Sequence, residues 1–328
     1  MHRELFLRQA SRRDILHAGF FLAGGSALAG LMPRTFLHAA QGAAAPADAV
    51  EQMKAQMSAV PLQTLQLRDN IHMMFGPGGN MVVLDGPDGK ILVDASFARV
   101  APKIKQMMDG FSSAPLKLLI DTHWHFDHTD GNAAMHEMGA MILAHENTRK
   151  RLSTPQEIGF FGMHFPPSPP EALPVQTFPD TFRLYLNKEE MRLAHVAPAH
   201  TDSDIQVHYV TSNVLHMGDT YFAGMYPFLD ASTGGRINGM IAAANRGITL
   251  ADASTKIVPG HGPLGDKASL TKYRDMLVTV RDRVRKQKSS GKTLQEAIAA
   301  KPTASFDAAF GNGLLKPDQF VTLVYTTL

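Results

Sequence analysis

The sequence predicts an α/β sandwich. Three observations carry that expectation: short apolar segments of strand length bounded by Gly, Pro and Asp turns, stretches of helical spacing that alternate with them, and histidines and aspartates that recur where strands end. Strands are expected at residues 65–67, 71–75, 81–84 and 91–93, separated by the turns Gly76-Pro77-Gly78-Gly79 and Asp85-Gly86-Pro87-Asp88-Gly89. Residues 100–108 have helical spacing, and the apolar run 116–120 reads as a buried strand. A helix at 132–138, a strand at 141–144 and a helix at 146–152 continue the alternation.

Residues 153–174 break this rhythm. The aromatic stretch Ile158-Gly159-Phe160-Phe161-Gly162-Met163-His164-Phe165 is followed by Pro166-Pro167-Ser168-Pro169-Pro170, and a long irregular segment of this kind is expected to be a lid over a cleft. Strands resume at 182–186, 191–196, 205–210 and 214–217, then a helix at 236–245 and a strand at 256–258. A long amphipathic helix at 267–288, a further helix at 294–300 and the tail Phe320-Val321-Thr322-Leu323-Val324-Tyr325 complete the chain.

The chemistry concentrates in His123-Trp124-His125-Phe126-Asp127-His128, directly after the strand at 116–120. Four metal-ligand side chains within six residues are too many for satisfied core polar groups. On an extended backbone alternate side chains share a side, so His123, His125 and Asp127 are expected to converge. His128 falls where Asp130-Gly131-Asn132 signals a turn and a helix start, and so reaches a neighbouring point. The pattern suits two metal ions, and imidazole nitrogen with carboxylate oxygen favours Zn²⁺, with Fe or Mn as lesser options. Three later loops, each after a strand, offer further ligands: His200 in Val196-Ala197-Pro198-Ala199-His200, Asp219 in Met217-Gly218-Asp219-Thr220, and His261 in Pro259-Gly260-His261-Gly262. Ligands gather at strand ends in open α/β sheets, which places these loops at one edge. Trp124 and Phe126 are expected to pack behind the ligands, and Asn80 and Tyr221 are candidates for substrate contact. His72, His136, His145, His164, His195, His208 and His216 lack a ligand pattern, and His164 is singled out only by its place in the expected lid.

Composition narrows the function classes. The 328 residues are 44% hydrophobic and 19% charged, ordinary for a chain that buries a real core. The formal net charge of +2 is small despite a pI near 8.7, and the densest basic patch, Arg281-Asp282-Arg283-Val284-Arg285-Lys286, reads as a solvated helix face, so nucleic acid is not expected as a partner. The absence of cysteine excludes disulfides and thiolate ligands. At the N-terminus, Arg12-Arg13 precedes an apolar, Gly/Ala-rich run at 18–32 and small residues around Ala39-Ala40. That pattern resembles a twin-arginine signal peptide over residues 1–42, which implies the twin-arginine export machinery as a partner and a periplasmic or extracellular location. Residues 43–63 read as a linker and a short helix, and 64–328 as the domain with its C-terminal helices.

The ordered ligand set, from the His123–His128 motif through His200, Asp219 and His261, resembles the metallo-β-lactamase superfamily of dinuclear hydrolases over roughly residues 64–273. The resemblance implies a four-layer αβ/βα sandwich with its metals in a cleft along one edge. Carried over by position, His123, His125 and His200 would hold one Zn²⁺, Asp127, His128 and His261 the other, and Asp219 would bridge them. A metal-activated hydroxide is then expected to attack a carbonyl, with Asp127 as the catalytic proton acceptor and a small molecule as substrate. Two departures bear on substrate. Asp219 stands where one β-lactamase subclass has cysteine and another usually has serine, and a bridging aspartate is more typical of family thioesterases, lactonases and phosphodiesterases. Ala199 replaces the common glycine before His200. The expectation is hydrolysis of an ester, thioester, lactone or β-lactam bond. The alternatives are a β-lactamase proper, a phosphodiesterase or nuclease, and an iron-dependent redox enzyme on the same fold.

Overall fold

The computed structural model describes residues 47–328, and the export segment expected at residues 1–42 lies outside the described residues. Strands β1 (Gln63–Arg68), β2 (Ile71–Phe75), β3 (Met81–Leu84), β4 (Lys90–Val93), β5 (Leu116–Asp121) and β6 (Met141–His145) form most of the first sheet. A two-stranded hairpin, β7 (Gln156–Ile158) and β8 (Met163–Phe165), follows, and β9 (Gln176–Phe178) returns to close that sheet in the order β1-β2-β3-β4-β5-β6-β9. The second sheet runs β10 (Thr181–Leu186), β11 (Glu189–His195), β12 (Ile205–Tyr209), β13 (Val214–His216) and β14 (Lys256–Val258). Each sheet begins as antiparallel hairpins and ends in parallel pairs, β4 through β9 in the first and β13–β14 in the second.

Strand alternation sorts the side chains into layers. Val82, Leu84, Ile91, Val93, Leu118 and Ile120 turn inward and meet Met191, Leu193, Val207, Tyr209 and Val214 of the opposite sheet. The intervening Val83, Leu92 and Leu119 face outward, into the cluster that contains Val50 and Met53 of the helix Ala47–Ser58, Ile104 and Met108 of the helix Ala101–Asp109, and Met135 of the helix Asn132–Glu137. On the far side Leu215 and Ile257 pack with the helices Ile237–Leu250 and Lys267–Ser289. Fully burying an aliphatic side chain is worth about 1.5–3 kcal/mol, and a one-residue register slip would expose every inward member at once. The result is the four-layer αβ/βα sandwich.

The short helix expected within residues 43–63 is Ala47–Ser58, whose Val50, Met53 and Met57 recur on one face and are buried in the core. Strand β9 was not expected, because Gln176-Thr177-Phe178 has one apolar residue; it is fixed by parallel pairing with β6 and by burial of Phe178. Among the described residues no helix is long and apolar enough to cross a membrane.

Candidate metal centre

Strand β5 ends at Asp121, and after the turn at 122–125 the chain enters a single helical turn, Phe126–Thr129. The alternation expected of His123, His125 and Asp127 therefore stops at His125. Helical geometry takes Asp127 away from the first two and sets it beside His128. The ligand atoms of His123, His125, His200 and Asp219 lie within 4.8 Å of one another, and those of Asp127, His128 and His261 form a second such group. Asp219 stands between the groups: Oδ1 is 3.1 Å from His128 Nε2, and Oδ2 is 3.4 Å from His200 Nε2 and 3.3 Å from His261 Nε2. All seven candidate ligands are thus brought together from four loops.

Each loop is held by its own local chemistry. Asp204 accepts the backbone N–H of His200 at 2.7 Å and of Thr201 at 2.9 Å, which fixes the turn after β11. Asn80 donates from Nδ2 to the carbonyls of Pro259 and Gly262, both at 2.9 Å, and so pins the loop that carries His261. Two glycines permit close approach: a Cβ on Gly79 would overlap the His128 ring, and one on Gly260 would overlap the Asp219 carboxylate.

The imidazoles are oriented from behind. His128 Nδ1 is 2.8 Å from Asp94 Oδ2, His125 Nε2 is 3.1 Å from Asp230 Oδ2, and His200 Nδ1 is 2.9 Å from the Phe228 carbonyl. Thr122 Oγ1 donates to Asp94 at 2.8 Å, leaving a lone pair for His123 Nδ1 at 3.1 Å. With those outer nitrogens acting as N–H donors, the inner nitrogens present lone pairs to the centre. His123 Nε2 is buried and has no hydrogen-bond partner among the described residues, an arrangement that costs about 1–3 kcal/mol unless something accepts that lone pair.

Electrostatics point the same way. Burial pushes His123 well below the usual imidazole range and His200 down to about 4, so both are neutral donors at pH 7. Burial opposes ionisation of Asp219 and Asp127 too, but His261 and His128 outweigh it, holding Asp219 well below the carboxylate range and Asp127 at about 2. Burial likewise opposes charge on His261, yet Asp219 and Asp127 raise it to about 9. A buried cluster that draws positive charge to itself, with only nitrogen and oxygen donors, fits zinc and accommodates iron or manganese.

A family model described as the metallo-beta-lactamase superfamily matches residues 75–284. The chain belongs to the metallo-β-lactamase superfamily. The probable metallo-hydrolase MJ0888 of Methanocaldococcus jannaschii is 27% identical over 203 residues, which span 60% of this chain and 94% of that protein. Among solved structures, a metallo-β-lactamase from Pontibacter korlensis matches with a TM-score of 0.53 at 15% identity, covering 66% of this chain and 99% of that one. The sec-alkylsulfatase Pisa1 from Pseudomonas sp. matches with a TM-score of 0.59 at 14% identity, covering 99% of this chain and 63% of that one. At such identities the structural likeness speaks for the fold. The protein is a metal-dependent hydrolase of this superfamily, as the ligand motifs led us to expect.

A cleft opens above the centre, part of it continuous with solvent. His125, Asp127, His200, Asp219 and His261 line its floor. Ile158, Phe161 and Met163 of the β7–β8 segment form one wall, so part of the irregular stretch 153–174 does border the cleft. His164 is exposed and is not among the residues that line the cleft. Phe126, expected behind the ligands, lines the cleft and stacks on Phe165 at 5.1 Å, whereas Trp124 is buried behind them. Neither Asn80 nor Tyr221 lines it: Asn80 is committed to the His261 loop, and Tyr221 is buried against Tyr273 at 5.1 Å. The other histidines lie outside both donor groups, His72 stacked on Phe111 and His145 on His195.

Sequence reasoning missed Asp94 and Asp230. Asp94 follows β4 with a φ of 63°, and an acid at a strand end was a usable signal. Asp230 reads as a turn cap, accepting from the Ser232 N–H at 3.1 Å, and nothing in the sequence ties it to His125. Replacing Asp230 by Ala frees the His125 ring and leaves its N–H unpaired. We expect metal affinity to fall about 10–100-fold, read by competition with a chromophoric chelator, with Asp230→Asn falling less.

Proposed function

We propose that this metallo-hydrolase is an exported dinuclear zinc enzyme that cleaves an ester, thioester, lactone or β-lactam bond. The observation that carries the reading is the pair of donor groups sharing Asp219 at the floor of one cleft. His123, His125 and His200 would hold one ion, Asp127, His128 and His261 the other, with Asp219 between them. Two bound ions would supply Lewis acidity toward a carbonyl and would lower the pKa of water from about 15.7 to about 7.

The chain's own groups do the rest. Asp127 reaches the cleft with its side chain 14% exposed, and to it we assign the proton-acceptor role. Asp94 and Asp230 hold His128 and His125 in orientation. Phe161, Phe222 and Phe228 give the space above an apolar lining. The chain has no cysteine to serve as a nucleophile. Export is supported by Arg12-Arg13 and the apolar run after it, consistent with maturation in the periplasm or outside the cell.

The test is a hydrolysis panel of esters, thioesters, lactones, β-lactams, phosphodiesters and alkyl sulfates with zinc-loaded protein. Turnover is expected in the carbonyl classes. Cleavage of phosphodiesters or sulfates alone would contradict the reading, and so would protein from its native compartment that carries iron instead of zinc.

A further inference from the structure

We propose that the cleft selects neutral substrates by an apolar chain: the scissile ester, thioester or lactone carbonyl sits at the donor cluster, and the attached alkyl or aryl group lies along a methionine and aromatic wall. This rests on the hydrolase reading above and names the substrate class of the same site. In the reaction water adds its oxygen to the acyl carbon, the bond to the leaving oxygen or sulfur breaks, and the leaving group takes up a proton. The products are a carboxylic acid and an alcohol or thiol, joined in one molecule for a lactone.

The chemistry of the lining carries the argument. Among the described residues every polar side chain that lines the cleft is a member of the donor cluster, and all the others are apolar. The apolar wall converges from remote parts of the chain: Met53 and Met57 on the helix Ala47–Ser58, Phe161 and Met163 on the hairpin, Met225 after β13, and Leu314 near the C-terminus. Methionine adapts to varied apolar shapes, so such a wall accepts a chain without dictating its outline. Among the described residues no lysine or arginine lines the cleft. Lys54, on the same helix as Met53, is turned to Asp130 at 2.7 Å. A second charge on the substrate would lie against hydrocarbon without a counter-ion, which is strongly unfavourable.

Wall and cluster are also joined. The Gly159 N–H of the hairpin donates to Ser232 Oγ at 3.2 Å, Ser232 Oγ donates to Asp230, and Asp230 holds His125 at 3.1 Å. Phe228 supplies its carbonyl to His200 and its ring to the cleft. A chain seated on the wall is therefore registered against the reacting centre and contributes orientation as well as affinity.

The test uses zinc-loaded protein in two independent measurements. In the first, kcat/KM is measured for 4-nitrophenyl esters from acetate to octanoate and for a hexanoate analogue bearing a terminal carboxylate. The expected gain is about fourfold per methylene at first, on the order of 10²-fold from acetate to hexanoate, with the terminal carboxylate erasing it. In the second, non-hydrolysable 2-alkanones of matching length are titrated while the fluorescence of Trp124 is followed. Trp124 is the sole tryptophan, its ring 4.7 Å from His125 and 6.1 Å from Phe165. Affinity should rise with chain length in the same way. Leu314→Arg, at a half-buried wall position, should flatten the series and favour the carboxylate-bearing ester, and Phe161→Ala should flatten it without that preference. Alkanone binding that ignores chain length, or preference of the unaltered protein for the charged ester, overturns the proposal. Chain-dependent alkanone binding without hydrolysis of any ester would overturn the hydrolase reading alone and support the selectivity assigned to the cleft.

Discussion

Asp219→Ala is expected to lower kcat/KM on the best carbonyl substrate by on the order of 10³-fold or more while the protein still folds. Among the described residues Asp219 is the side chain that addresses both donor groups, Oδ2 at 3.4 Å from His200 and Oδ1 at 3.1 Å from His128. Removing it leaves imidazoles facing one another across a gap with no shared carboxylate to draw a cation between them. Several kcal/mol of transition-state stabilisation depend on that arrangement, and each 1.36 kcal/mol is tenfold in rate. Asp219→Asn keeps the volume and removes the charge, so it should fall between the two. Steady-state kinetics beside a thermal melt separate loss of function from loss of fold. A variant within tenfold of the parent would remove Asp219 from its assigned place.

Stripping metal with a strong chelator should abolish hydrolysis and lower the melting temperature together, both recovering on addition of zinc. A ligand bound only by the folded state at a thousand times its Kd stabilises by about 4 kcal/mol, which for a chain of this size corresponds to a shift on the order of 10 °C. The buried His123 Nε2 would again lack any partner, and the carboxylates of Asp127 and Asp219 would be compensated only by neighbouring imidazoles. An unchanged melt with unchanged activity would mean that the donor cluster is not a metal site.

Much of the fold and the donor set was legible because strong local signals coincide with the tertiary answer. The stretch from His123 to His128 is dense in ligands, and His200, Asp219 and His261 each follow a strand that its apolar pattern announces. What was not legible depends on partners distant in sequence. Met53, Met57 and Leu314 read as ordinary apolar residues, and only the packing of the helix Ala47–Ser58 and the C-terminal segment over the sheet edge makes them a cleft wall. Asp230 lies 105 residues from the histidine it orients. The placement of Asp127 was misjudged for a different reason: a helical turn beginning at Phe126 overrode the extended backbone assumed for the motif. Asn80 was expected at the substrate and instead secures the His261 loop, a role set by carbonyls 179 and 182 residues away.

The most direct test of the central claim, that seven side chains hold a pair of metal ions, is the metal content per chain, measured by elemental analysis on protein matured in its native compartment and on the His261→Ala variant. The account predicts about two zinc ions in the parent and about one in the variant, since one donor group would survive. A parent that saturates at one ion or none, or a variant that keeps the full complement, would contradict it.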